Sequence, residues 1–240
     1  MAHDVDGLIN RFLAELDQAG VGPYAAVLHG SAARGQYLPG WSDINLVLVF
    51  QRISPQTLRA MQAPLRWWHS TAGALPLMLT EAEWRRAADA YPLEIAEMQT
   101  AYRVVRGDDP LAGLVVRRAD LRAALERELR GKLLRLRQGY ALFAARPAEL
   151  SHLVRRSVAA VLFLFRGLAV LAGQEPPKDS PALVALAGRL AGFEARTLEP
   201  IVTHRDDDSW RCSDEVMAGY LGAVEATAHF VDHFQIGDQE

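Results

Sequence analysis

The sequence predicts an α+β chain in which a mixed sheet with flanking helices occupies residues 1–115 and an all-α helical bundle occupies residues 116–240. Two observations carry this reading. Short apolar runs of strand length, at Tyr24–Leu28, Ile44–Phe50, Leu75–Leu79 and Tyr102–Val105, are confined to the first half. Beyond about residue 115 such runs stop, and apolar residues recur every three or four positions, the period of a helix with one buried face. A length of 240 residues with 50% hydrophobic side chains suffices to bury a sizeable core.

The elements follow in order. Val5, Leu8, Ile9, Phe12, Leu13 and Leu16 place one apolar stripe on a first helix, and Gly20 stands where a helix-ending glycine belongs. Tyr24–Leu28 reads as a buried strand, residues 29–42 as a loop rich in Gly, Ser and Pro, and Ile44–Phe50 as a central strand. Ser54-Pro55 combines a capping residue with proline at the first helical position, and Pro64 is expected to end or kink the helix that follows. A third strand, Leu75–Leu79, leads into Thr80-Glu81-Ala82-Glu83, which has capping-box spacing. The fourth strand closes at the turn Gly107-Asp108-Asp109-Pro110. Helices are expected near 118–145, 151–172, 180–191 and 213–235. Leu121, Leu125, Leu129 and Leu136 stripe the first, and Val154, Val158, Phe165 and Leu168 the second.

Composition narrows the functional classes. The net charge of -3 gives no hint of a nucleic-acid or membrane partner, although the segment Arg117–Arg146 is locally basic. The longest apolar stretch, Val158–Ala172, is broken by Arg166 and is too short to span a bilayer. No basic segment followed by an apolar run marks a signal peptide at the N-terminus, and the single cysteine, Cys212, rules out an internal disulfide. A bacterial-type cytoplasmic protein is the expectation.

One stretch carries chemistry. A strand running into Gly-Ser brings backbone amides and a hydroxyl to phosphates, because glycine lets the main chain approach them. Acids at positions i and i+2 at the start of a neighbouring strand project to one side and hold a divalent cation. Here Ala25–Leu28 leads into His29-Gly30-Ser31-Ala32-Ala33-Arg34-Gly35, and Ser42-Asp43-Ile44-Asn45 opens the next strand, with Asp43 twelve positions after Ser31.

This block resembles the DNA polymerase β-type nucleotidyltransferase superfamily, which includes antibiotic-modifying and minimal nucleotidyltransferases. The similarity extends over about residues 5–110, and its specific part is residues 24–50. A helical domain after the sheet domain is also similar to the antibiotic-modifying members. The resemblance implies a nucleoside triphosphate partner, ATP or another nucleotide, bound at Gly30 and Ser31. It further implies magnesium at Asp43, and transfer of a nucleotidyl group to a hydroxyl on a small-molecule or protein acceptor. Arg34 and Lys132 are candidate phosphate ligands, and Arg135 is an alternative to Lys132. The family pattern of Asp-x-Asp or Asp-x-Glu is degenerate here: Asn45 fills the second position, keeping an oxygen ligand and losing its charge. No acid lies on Leu75–Leu79, so Glu81 and Glu94 are the remaining acids for a base. A protein that retains the fold and binds a nucleotide without turnover is the alternative.

Other features read as structural. Glu126–Arg130 and Glu128–Lys132 have the spacing of helical ion pairs. His229 and His233 lie one turn apart, yet no glutamate follows the first histidine as in the zinc-protease pattern, and an exposed face is expected. Trp67, Trp68 and Trp84 are expected in helix–sheet packing, and Asp206–Asp208 in a solvated turn. Gly30-Ser31-Ala32 is not the Gly-x-Ser-x-Gly elbow of hydrolases.

Overall fold

The computed structural model of the chain describes residues 4–37 and 43–236. The chain divides into two compact units, Met1–Ala90 with Met98–Val115, and Tyr91–Glu97 with Val116–Glu240.

The first unit begins with α1 (Val5–Gln18), capped by Asp4, whose carboxylate accepts from the Gly7 amide at 2.9 Å. Its apolar stripe is buried at Ile9, Phe12, Leu13 and Leu16, and Gly20 leaves the helix at a φ of 68°. Strand β1 (Tyr24–His29) runs into the single-turn α2 (Gly30–Ala33), and β2 (Asn45–Phe50) returns beside it. The helices α3 (Pro55–Ala60) and α4 (Gln62–Ala72) lead to β3 (Leu77–Thr80). Then come α5 (Glu81–Trp84), α6 (Ala87–Ala90), α7 (Pro92–Thr100), whose residues up to Glu97 belong to the second unit, and β4 (Tyr102–Arg106). The sheet order is β3-β2-β1-β4; β2 is antiparallel to β1 and parallel to β3, so the sheet is mixed.

The two-residue strand period explains its core. Tyr24, Ala26 and Leu28 of β1 share one face with Leu46, Leu48 and Phe50 of β2, and all six join Phe12, Leu16 and Trp68 in one buried cluster. Phe12 and Trp68, from α1 and α4, meet at 4.6 Å between ring centroids. Ser54 caps α3 in a reciprocal bond pair with Thr57, as its position before Pro55 predicts. The break expected at Pro64 lies instead at Met61. Pro64 falls in the first turn of α4, where a missing amide hydrogen leaves no helical bond unmade.

The second unit contains α8 (Arg118–Phe143), α9 (Pro147–Leu171), α10 (Ser180–Ala191), a 3-10 turn (Ala195–Leu198), α11 (Glu199–Thr203) and α12 (Asp214–Asp232). Its core joins Leu125 and Leu129 of α8 to Val158 and Phe165 of α9 and to Tyr220 and Val224 of α12. Small residues set the closest approaches. A Cβ at Gly139 would meet the Leu153 side chain, and one at Gly167 would lie 2.7 Å from Leu93. Among the described residues no helix is long and apolar enough to cross a membrane.

Candidate nucleotide site

Gly30 and Ser31 sit at one end of the β1–β2 pair. His29 is the last residue of β1 and pairs with Asn45, the first of β2. Continuing that register by two residues would set Ser31 across from Asp43. The chain turns into α2 instead at Gly30, whose φ of 75° favours glycine. The loop is closed by its own backbone: Arg34 donates to the Gly30 carbonyl at 3.2 Å, and Gln36 to the Ser31 carbonyl at 2.8 Å. Gly30 is buried, whereas Ser31 and Arg34 are half-buried.

Asn45 lies against this loop. A Cβ at Gly30 would stand 2.9 Å from Asn45 Nδ2, so any larger residue at position 30 would displace that amide. Asp43 is exposed and is held from the other side. The Ile44 amide donates to the Ala72 carbonyl at 3.1 Å, and the Asp43 carboxylate occupies the space that a Cβ on Gly73 would need. Gly73 ends α4 with a φ of 86°. Trp68 Nε1 donates to the Ala74 carbonyl at 2.9 Å, and His69 Nδ1 to the Gly73 carbonyl at 2.7 Å, which pins that turn. The carboxylate therefore sits beside the partly negative C-terminal end of a helix, where a cation is favoured. Gly73 was not foreseen; its only trace in the sequence is a glycine after the apolar period of α4. Ser42 and the rest of residues 38–42 lie outside the described residues.

The other acids are placed less favourably. Strand β3 carries none, and Thr80 at its end pairs with Phe50, the far end of β2 from Asn45. Glu81 follows Thr80 and is therefore separated from Asn45 by the length of β2, roughly 16 Å at the rise of an extended strand. It is exposed and pairs with Arg85 at 3.3 Å; a role as base beside Asp43 is corrected by this geometry. Glu94 is exposed on α7, in the segment that clusters with the helical unit. Among the described residues no three His, Cys, Asp or Glu side chains gather closely enough to hold a metal ion.

Lys132 lies on α8 and lines a cavity of the helical unit together with Arg135. It does not pair with Glu128 as the spacing predicts, whereas Arg130 does pair with Glu126 at 2.9 Å. The His229 and His233 rings are exposed and stack at 4.2 Å, with His233 Nδ1 donating to the His229 carbonyl. Trp68 and Trp84 are buried, and Trp84 Nε1 donates to the Pro110 carbonyl at 2.6 Å. The turn at 206–208 is organised by Asp207, which accepts from the hydroxyl and amide of Ser209 and is thereby held below the usual carboxylate range. Cys212 is buried, and desolvation aided by Asp214 pushes its thiol up to about 11. It is a packing residue, not a nucleophile.

A scan against protein-family models finds no match, and no curated protein is detectably similar in sequence. Among solved structures the chain is similar to spectinomycin adenyltransferase AAD(9) from Enterococcus faecialis, determined with ATP and spectinomycin. The two share 13% identity and superpose with a TM-score of 0.57 over 97% of this chain and 100% of that one. At this identity the likeness shows the fold: a nucleotidyltransferase-like sheet unit followed by a helical bundle.

Proposed function

We propose that this chain binds a nucleoside triphosphate, ATP or another nucleotide, at the loop Gly30-Ser31-Arg34. Transfer of the nucleotidyl group to a hydroxyl on a small-molecule or protein acceptor is the reaction we assign to it. The observation that carries this reading is the register of β1 with β2, which brings Ser31 and Asp43 to the same end of the sheet. Ser31 offers an amide and a hydroxyl to phosphate oxygens, Gly30 supplies the positive-φ turn that leads into it, and the Arg34 guanidinium adds charge-assisted donors. Asp43 supplies one anionic oxygen ligand for magnesium and Asn45 a neutral one. When bound, the ion offsets phosphate charge. One carboxylate in place of two makes a weak magnesium site, because the ion is held mainly by anionic oxygens.

A second reading is favoured by Asn45, which stands where the Asp-x-Asp pattern has its second acid, and by the sequence of β3, Leu77-Met78-Leu79-Thr80, which holds only apolar and neutral residues. In that reading the protein binds the nucleotide as a regulatory or sensing module, without turnover. Calorimetry with ATP, with and without magnesium, combined with incorporation of labelled nucleotide, separates the two. The transferase reading expects magnesium-dependent binding and turnover, both lost in Asp43→Ala. Binding indifferent to magnesium and without turnover supports the second reading. No ATP binding at all, or binding unchanged by Ser31→Ala, overturns the assignment of the loop.

A further inference from the structure

The helical unit holds a cavity of about 560 Å³ between the second half of α8 and the first half of α9. Its size is in the range of small-molecule pockets, roughly 300–1,000 Å³. Leu136, Phe143 and Leu153 supply apolar wall, and buried Ser157 lies among them with its hydroxyl tied to Val154 and Tyr220. Helical spacing brings Lys132 and Arg135 to this wall from α8, and His152 and Arg156 from α9, as pairs at i, i+3 and i, i+4. Glu149 is the one acid lining it.

These cations differ from their neighbours. Arg122, Arg130, Arg137 and Arg155 are each paired with a carboxylate of the bundle. Lys132, Arg135 and Arg156 have no such partner within ion-pair distance among the described residues. Desolvation and then the charge of Arg135 lower the Lys132 pKa from the usual lysine value, against an opposing pull from the Glu128 carboxylate. A half-buried lysine and two exposed arginines beside an apolar wall offer positive charge and apolar surface together, which a small organic anion matches.

We propose that this cavity binds a small organic anion, one phosphate or carboxylate group on an aromatic or aliphatic body, with Lys132, Arg135 and Arg156 at the anionic group and Leu136, Phe143 and Leu153 against the body. The assignment uses the helical unit alone and does not rest on nucleotide binding at Gly30-Ser31.

The test is calorimetry of the full chain with 1-naphthyl phosphate, against neutral 1-naphthol and cationic 1-naphthylmethylamine. The proposal expects one saturable site for the phosphate, weakened by added salt, with 1-naphthol bound at least about tenfold more weakly, the size of one lost charge-assisted contact. The amine is expected to bind more weakly still. Arg156→Glu and Lys132→Met are each expected to weaken the phosphate at least about tenfold by the same reasoning, while Ser31→Ala leaves it unchanged. Arg156 and Arg135 are exposed, so Arg135→Gln serves where another variant melts below the parent. Equal affinity for naphthol and its phosphate would reduce the cavity to an apolar patch. Binding untouched by Arg156→Glu and Arg135→Gln, or abolished by Ser31→Ala, would place the anion elsewhere; each of these overturns the proposal. A failure of ATP to bind bears only on the Gly30-Ser31 loop.

Discussion

At the level of single residues, the candidate site depends on two glycines that make room for two oxygen-bearing side chains. Gly30 leaves space for the Asn45 amide, and Gly73 for the Asp43 carboxylate, both from positive-φ conformations. Gly73→Ala adds a methyl group where the carboxylate stands and forces a strained backbone. We expect it to destabilise the protein by about 1–3 kcal/mol, read as a lower Tm, and to weaken magnesium-dependent ATP binding by shifting Asp43. Unchanged melting and binding would show that the carboxylate has another place to go. Asn45→Asp restores the charge that the Asp-x-Asp pattern contains. Its expected effect is tighter magnesium binding in the presence of ATP; if neither metal affinity nor turnover moves, position 45 is not a ligand. Gly30, Ser31, Asp43 and Asn45 were legible as candidates because spacing and flanking strands are properties of the chain itself. Gly73 was not, because its relevance arises only when the end of α4 meets the residue before Ile44.

At the level of elements, most of the helices and strands follow from local rules. The stripe of α1, the cap at Ser54 and the apolar runs of β1 and β2 lie where periodicity and capping chemistry set them. Short pieces escaped: α7 was not foreseen, since its apolar residues carry no clear one-sided stripe. The helix expected to break at Pro64 breaks at Met61, because proline is tolerated in a first turn and the sequence does not show where a turn begins. Within the bundle, α9 and α12 are joined by a buried hydrogen bond of 3.0 Å between Ser157 Oγ and Tyr220 Oη. Burial drives the Tyr220 phenol well above its ordinary pKa. Tyr220→Phe removes that bond while Ser157 keeps its bond to the Val154 carbonyl. We expect a loss of about 0.5–1.5 kcal/mol, seen as a lower urea midpoint with an unchanged slope.

At the level of the whole molecule, pH reports on burial through Cys212. Its folded pKa of about 11 lies above the ordinary thiol value of 9.0, so the folded state keeps its proton longer than the unfolded chain. Stability from this group is complete below pH 9 and declines as pH rises toward 11, since there the unfolded state binds fewer protons. Melting curves across that window should fall more steeply for the parent than for Cys212→Ser, and identical slopes would count against a buried thiol. The chain alone determined the α+β class, the change of character near residue 115 and the Gly-Ser to Asp stretch, because periodicity and turn chemistry act over a few neighbouring residues. Only the tertiary structure decided that Glu81 stands at the far end of β2, that Gly73 seats Asp43, and that Lys132 lines a cavity instead of pairing with Glu128. Those outcomes depend on strand direction and on which helices pack together, contacts made between residues distant in sequence that no local pattern encodes.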